Sequence, residues 1–122
     1  MQYISVILAH PYTHSLNAAI AATVVSILEK NGYGVHFHDL YQEGFDPLLS
    51  GGNWPQARIT TLSYINIKKK SAVRTASSSS TPNWWGQPPA ILKGWMERVL
   101  RKNVAYTFPP GDNGGGLPIG LL

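Results

Sequence analysis

The fold is decided by residues 3–32, which read YISVILAHPYTHSLNAAIAATVVSILEKNG. Tyr3 to Ala9 is a nearly continuous apolar run with β-branched residues, a pattern typical of a strand that is covered on both faces. After a polar loop, apolar residues recur at helical spacing, and they are Ile20, Val24, Ile27 and Leu28. Ser15 or Asn17 can cap this helix, and Gly32 can end it in a left-handed conformation. A strand followed by a helix predicts the opening of a βαβ unit and therefore an α/β fold.

Three further segments carry secondary-structure signals. Gly34 to Leu40 alternates apolar residues with His36 and His38, which predicts a strand near the edge of the sheet. Both histidines share a strand face, but no third ligand is placed near them, so we interpret them as exposed edge residues rather than a metal site. Pro89 to Lys102 combines a broad apolar stripe with basic residues in its last turn, which predicts a second helix. Residues 105–108 fit a short extended piece.

Composition indicates a single globular domain over residues 1–122. The chain is 43% hydrophobic and 13% charged and has no cysteine, which excludes disulfides, thiolate metal sites and a cysteine nucleophile. The first apolar run ends at His10 and Pro11, so we expect neither a signal peptide nor a membrane span, and a cytoplasmic location. The net charge of +4 and the triplet at 68–70, KKK, suggest nucleic-acid binding. No recognition helix accompanies the triplet, so we interpret it as a solvated loop and expect no nucleic-acid partner.

Two loops carry the candidate chemistry. His10 to Asn17 leaves the end of a strand and enters a helix, which is where α/β folds bind phosphate, because backbone N–H groups and the helix dipole favour an anion. An ordinary helix cap made by Ser15 or Asn17 explains the same loop equally well. The second loop, Pro82 to Ala90, contains two adjacent tryptophans outside any helical stripe. Exposed tryptophans are costly, and a planar ligand would explain them.

Three motifs occur in a fixed order along the chain. They are AHP with SLN within 9–17, DLY at 39–41, and PNWWGQPPAILKGW at 82–95, followed by RVL at 98–100. Together they resemble the flavodoxin-like NAD(P)H dehydrogenase (quinone) family over residues 1 to about 50 and 82–122. The resemblance implies a flavodoxin-like doubly wound parallel sheet, for which the strand order 2-1-3 is expected. It also implies FMN as the cofactor, NAD(P)H as the reductant and a quinone as the small-molecule substrate.

The resemblance assigns flavin-binding residues to both loops. The phosphate and ribityl chain would be held by His10, Ser15, Leu16 and Asn17. The isoalloxazine ring would lie along Pro82, Asn83, Trp84, Trp85 and Gly86. Because the flavin would carry the redox chemistry, no catalytic side chain and no metal ligand is assigned.

The function implied by the resemblance is that of an FMN-dependent NAD(P)H:quinone oxidoreductase or a truncated remnant of one. One alternative is a non-catalytic ancillary module, since relatives also serve as regulatory subunits of potassium efflux systems. An inactive product is the other alternative. A homodimer is the candidate assembly.

The chain departs from the family in two places. The family continues beyond the position of Leu122, so we expect an incomplete sheet that lacks the C-terminal strands. Residues 51–81 are atypical, because the run ASSSST at 76–81 stands where the family has an apolar central strand. Buried unpaired hydroxyls cost roughly 1–3 kcal/mol each. We therefore expect one side of the first strand to lack a partner, apolar area to be exposed, and FMN to bind weakly or not at all.

The genetic code offers a cause for the atypical segment. Codons can be chosen for residues 71–81 such that the frame one base earlier encodes RSADGIIIVH, an apolar strand directly before Pro82. We hypothesise that this segment is translated out of frame.

Overall fold

The computed structural model describes residues 2–49, 76–100, 106–111 and 119–120. Within these ranges the elements are, in chain order, β1 (Tyr3–Leu8), α1 (Leu16–Lys30), β2 (Gly34–Asp39), β3 (Ala76–Ser80), α2 (Ala90–Val99), β4 (Tyr106–Thr107) and β5 (Ile119–Gly120). The first three strands form a parallel sheet in the order β2-β1-β3, and β4 pairs with β5 in a separate antiparallel sheet. The α/β class and the strand order 2-1-3 are confirmed.

The central strand β1 is covered on both faces, as predicted. Val6 and Leu8 face α1 and join a core cluster with Ala21. The intervening Ile7 and the following Ala9 face α2 and pack with Leu40 and Leu92. All these side chains are at most 4% exposed. Alternate burial on two faces explains why β1 reads as an unbroken apolar run.

Helix α1 begins and ends at polar residues suited to helix caps. Ser15 is its N-cap, and the Ser15 hydroxyl accepts a hydrogen bond from the backbone N–H of Ala18 at 3.1 Å. Asn17 therefore lies inside the first turn rather than at the cap. Asn31 is the C-cap, and Gly32 follows with φ +81°, which confirms the predicted left-handed stop.

Strand β2 has half-buried histidines rather than exposed ones. The His36 ring stacks on Tyr3, with the ring centroids 5.1 Å apart, and His38 Nδ1 lies 3.1 Å from a carboxylate oxygen of Glu43. Phe37, between them, is 45% exposed. Among the described strands β2 lies at the edge of the sheet, as predicted, but the predicted exposure of its histidines is wrong, because β1 and the turn after β2 supply partners for both rings.

Strand β3 overturns the expectation that the serine run leaves β1 unpaired. Ala76 pairs with Ile4, and the parallel register continues to Ser80 opposite Leu8. Ser77 and Ser79 are exposed, so their hydroxyls need no protein partner. Ser80 is buried, and the Ser80 hydroxyl donates to the Asn17 carbonyl at 2.8 Å. The backbone ladder does not require apolar side chains, and the single buried hydroxyl is satisfied.

Helix α2 packs tightly against the loop that follows β2. A Cβ added at Gly94 would collide with the backbone and side chain of Pro47. Arg98 donates a hydrogen bond to the Asp46 carbonyl, and its guanidinium lies 5.4 Å from the centre of the Phe45 ring. Leu92 and Val99 are buried. Within the predicted apolar stripe, Leu92 packs against Ile7 of β1, whereas Leu100 is 41% exposed.

Several predictions fall outside the described residues. They concern the basic triplet at 68–70 and most of the atypical segment, which is 51–75. The sequence predicts a second helix that runs to Lys102, but α2 ends at Val99, with Leu100 as its C-cap. Of the predicted extended piece at 105–108, residues 106–107 form β4, and residue 105 lies outside the described residues. Among the described helices, none is long and apolar enough to cross a membrane.

Candidate functional site

The two predicted binding loops leave the same edge of the sheet. Parallel pairing of β1 with β3 sets Leu8 opposite Ser80, and the Ala9 N–H donates to the Ser80 carbonyl at 3.1 Å. The chain then enters the first loop at His10 and the second at Thr81. The carboxyl edge of a parallel sheet, where neighbouring strands lead into separate loops, is the usual ligand site of open α/β folds.

The first loop is held in shape by its own hydrogen bonds. The Tyr12 N–H donates to His10 Nδ1 at 3.0 Å, and the Ser15 N–H donates to the Tyr12 carbonyl at 3.2 Å. Because His10 Nδ1 accepts this hydrogen bond, a neutral His10 ring carries its proton on Nε2. His14 packs its ring edge-on against Tyr12, with the centroids 5.7 Å apart. The loop therefore offers imidazole and hydroxyl donors on a fixed backbone.

The N-terminus of α1 has the electrostatics of an anion site. The N–H groups of Leu16 and Asn17 have no acceptor within the helix, because an α-helix begins with unpaired donors. The Ser15 cap satisfies the N–H of Ala18. The first turn contains no acidic residue that would offset the positive end of the helix dipole. A cap and an anion site are therefore compatible here, because the cap uses a different donor.

The second loop is a tight turn with two tryptophans. Trp84 and Gln87 exchange two backbone hydrogen bonds, of 2.9 and 3.1 Å. The central residues Trp85 and Gly86 have φ of +56° and +74°, the pattern of a type I′ turn. A bulky residue at positive φ is a genuine outlier, and such strain concentrates at functional sites. Trp85 is fully exposed, at 101% of its reference area, and Trp84 is 42% exposed.

Two contacts join the loops. The His10 and Trp84 rings meet at 60°, with their centroids 6.2 Å apart. Asn17 Nδ2 donates to the Ser80 hydroxyl at 3.4 Å, while that hydroxyl donates to the Asn17 carbonyl. These contacts fix the end of β3 against the first turn of α1. They also bring the residues predicted for the phosphate and those predicted for the ring to one place.

The predicted site residues differ in what they contribute. His10 and Trp84 form one contact between the loops, Asn17 takes part in the other, and Ser15 caps α1. Leu16 is 76% exposed, so within this chain it contributes its backbone N–H rather than a packed side chain. The remaining predicted residues line the second loop, and they are Pro82, Asn83, Trp85 and Gly86.

Sequence reasoning missed Ser80 as a site residue. This serine connects the two loops, although its pattern in the sequence does not distinguish it from the serines before it. Only the pairing register with β1 shows that Ser80 faces α1.

The residues present fit the binding of FMN. An uncompensated helix N-terminus suits the phosphate group, and exposed indoles on a strained turn suit a planar ring. Among the described residues, no group of three or more histidine or carboxylate side chains is arranged to hold a metal ion.

Comparison with known proteins places the chain in a family. The model of the flavodoxin-like fold family matches residues 2–121. An uncharacterized NAD(P)H oxidoreductase of Haemophilus influenzae is 34% identical over 113 residues, which are 90% of this chain and 56% of that protein. NAD(P)H dehydrogenase [quinone] 1 of Rattus norvegicus is 32% identical over 122 residues, which are 84% of this chain and 44% of that protein.

A solved structure agrees with the fold. The NAD(P)H:quinone oxidoreductase of Methanothermobacter marburgensis superposes with a TM-score of 0.73 at 23% identity, and the match covers 88% of this chain and 57% of that one. The chain spans about half the length of the curated relatives it matches. Because the family model covers nearly every residue and the observed topology agrees with it, the chain belongs to the family of flavodoxin-like fold proteins.

Proposed function

We propose that the chain binds FMN at the sheet edge from which its two loops leave, and that it acts as an NAD(P)H:quinone oxidoreductase. The observation that carries the proposal is the contact between His10 and Trp84, which brings the two loops together. The relatives named as NAD(P)H and quinone oxidoreductases support the same activity. A quinone is the proposed small-molecule substrate and NAD(P)H the proposed reductant. A cytoplasmic location stays a prediction.

The first loop would bind the phosphate end. The N–H groups of Leu16 and Asn17 donate towards the space before α1, and the helix dipole adds a favourable field. The Ser15 hydroxyl and His10 Nε2 supply further donors. Because β1 and α1 fix these groups before binding, little conformational entropy is lost when the anion binds.

The second loop would orient the ring. The Trp84 ring contacts the His10 ring edge-on, and Trp85 exposes its whole indole to solvent. Aromatic stacking adds about 0.5–1.5 kcal/mol to the burial of apolar area. When bound, FMN would supply the acceptance of hydride from NAD(P)H and its delivery to the quinone.

The pairing of β3 removes one of two reasons for expecting weak FMN binding, and the other, the family's additional loop over the flavin beyond the position of Leu122, is unaffected. That expectation assumed that the tryptophan loop follows an unpaired strand, whereas Ala76–Ser80 are paired with β1 throughout. The affinity itself is a matter for titration.

Titration of the purified chain with FMN tests the proposal. We expect saturable quenching of tryptophan and flavin fluorescence, weakened by Trp84→Ala and by Ser15→Ala. Ser26→Ala, an exposed position in the same helix, is the matched control and should bind FMN normally. Riboflavin lacks the phosphate, so the preference for FMN over riboflavin should shrink in Ser15→Ala alone. Equal binding of both ligands by the unmodified chain would overturn the phosphate assignment.

Steady-state oxidation of NADPH or NADH in the presence of a quinone tests the activity separately. We expect FMN-dependent turnover that is lost in Trp84→Ala. A chain that binds FMN and shows no turnover would be a binding module, and this would overturn the enzymatic part of the proposal alone.

A further inference from the structure

Ser80 joins the end of β3 to the first turn of α1, although the proposed flavin contacts do not use it. The residue is 8% exposed, and its hydroxyl donates to the Asn17 carbonyl at 2.8 Å. The same hydroxyl lies 3.4 Å from Asn17 Nδ2. A carbonyl can only accept, so the single Ser80 proton is committed to it, and the Ser80 oxygen accepts from Nδ2. The direction of both hydrogen bonds is therefore fixed.

The peptide group between Asn17 and Ala18 continues this arrangement. Its carbonyl accepts from Ser80, and its N–H, which belongs to Ala18, donates to the Ser15 hydroxyl oxygen at 3.1 Å. Hydrogen bonds in such a chain polarise one another, because a group that accepts a proton becomes a stronger donor itself. The chain of donors therefore runs from the end of β3, through one peptide group of α1, to the N-cap of that helix.

The Ser15 hydroxyl is the last donor of this chain. Its oxygen accepts from Ala18, and among the described residues no group accepts its proton. The hydroxyl lies at the start of α1, where the first N–H groups have no acceptor within the helix and no acidic side chain follows in the first turn. An anion bound there would accept the Ser15 proton, in a hydrogen bond that the chain from Ser80 strengthens.

We propose that Ser80 is a positioning residue for the phosphate group of FMN, because it orients and polarises the peptide group that pairs with Ser15. Ser80 would thereby strengthen the Ser15 donor without touching the ligand. The inference rests on the proposed function, since it assumes that a phosphate monoester binds at the start of α1. It gives Ser80 a part in selecting the phosphorylated flavin over riboflavin. Burial of Ser80 supports this role, because hydrogen bonds polarise one another more strongly where water is excluded.

The preference between two flavins tests this role. The quantity measured is the ratio of the dissociation constants for riboflavin and FMN, by fluorescence titration of the full chain without NAD(P)H or a quinone. Ser80→Ala should lower this ratio roughly three- to tenfold and leave riboflavin binding within about twofold, since one hydrogen bond to a charged group is weakened. Ser79→Ala, one residue earlier and exposed, is the control and should keep the ratio. Partial unfolding weakens both flavins by the same factor and leaves the ratio unchanged.

A second pair of variants separates the hydroxyl from the shape of the side chain. Ser80→Thr keeps a hydroxyl, whereas Ser80→Val has the same branched shape without one, and both side chains suit a strand. We expect the ratio of the unmodified chain in Ser80→Thr and the lowered ratio in Ser80→Val. Far-UV circular dichroism at the temperature of the titration establishes that both variants are folded. Equal ratios in the two variants would overturn the role of the hydroxyl.

The route through Ser15 is tested by combining variants. If Ser80 acts through Ser15, Ser80→Ala should not lower the ratio further in a chain that already carries Ser15→Ala. A further drop of the same size would show a different route and overturn the assignment. An unmodified chain that binds both flavins equally would overturn the phosphate site of the proposed function. An unmodified chain that prefers FMN, with Ser80→Ala and Ser80→Val preferring it equally, would overturn the Ser80 inference alone.

Discussion

At the scale of single residues, Trp85 shows most directly where the chain departs from its best local conformation. Its φ of +56° belongs to a region that favours glycine, asparagine and aspartate over bulky side chains. Burial of the indole does not offset this backbone strain, since Trp85 is fully exposed. A strained and exposed tryptophan is best explained by a ligand that stacks on it.

Trp85→Asn should therefore separate stability from binding. The change creates the Asn-Gly pair that type I′ turns prefer, so the free energy of unfolding should rise by about 1 kcal/mol. FMN affinity should fall by up to about tenfold, because a stacking contact is lost. Chemical denaturation and FMN titration of the same preparations measure the two effects. Gly86→Ala is the control for backbone strain and should lower stability by about 1 kcal/mol. Lower stability in Trp85→Asn would contradict the argument.

Gly94 allows α2 to approach Pro47 closely, because it has no side chain. Gly94→Ala places a methyl group against Pro47, and overpacking of this kind costs about 1–3 kcal/mol. Alanine is the better helix former by about 1 kcal/mol, so a neutral or stabilising result would show that the loop yields easily. Lys93→Ala, on the exposed side of α2, should change stability by less than about 0.5 kcal/mol. Urea midpoints at constant m-value decide the matter.

At the scale of elements, β3 shows that a strand can form from residues without the apolar periodicity that predicts strands. Its serines satisfy the ladder through their backbones, and its register with β1 leaves a single hydroxyl in the interior. That hydroxyl connects β3 to α1 through Asn17. Besides its backbone ladder with β1, the strand is held against α1 by these two hydrogen bonds, where a strand of apolar residues would use side-chain packing.

Ser80→Ala should destabilise the protein by about 1–2 kcal/mol, because it removes both hydrogen bonds and leaves the Asn17 groups without their partner. Ser79→Ala, one residue earlier and exposed, should change stability by less than about 0.5 kcal/mol. Thermal melts of the two variants provide the comparison. Equal melting temperatures would show that water replaces the Ser80 hydroxyl.

At the scale of the whole molecule, the described residues form the β2-β1-β3 sheet with α1 on one face and α2 on the other. Local pattern correctly predicts β1, α1, β2 and α2, because apolar residues recur in each at a period that is visible in the sequence. The pattern fails at β3, where backbone pairing decides. It also fails at the β2 histidines, where neighbours from other elements provide the partners.

The atypical composition of 51–81 motivates the hypothesis that this segment is translated out of frame. The structure removes one argument for it, since the serine strand pairs with β1. Codons can still be chosen for 71–81 such that the alternative frame encodes an apolar strand at the same place. We expect the gene to show compensating insertions or deletions near codons 51 and 82. Sequencing of independent isolates checks this, and a continuous frame in all of them would refute the hypothesis.

The sequence by itself determined the α/β class, the order of the strong elements and the two loops of the candidate site, because these depend on local periodicity and on motifs. Tertiary structure alone decided that β3 pairs with β1, that Ser80 bonds to Asn17 and that His10 meets Trp84. It also decided which side of α1 packs on the sheet. Each of these depends on pairing register or on contacts between residues distant in the chain, and neither leaves a signal in local composition.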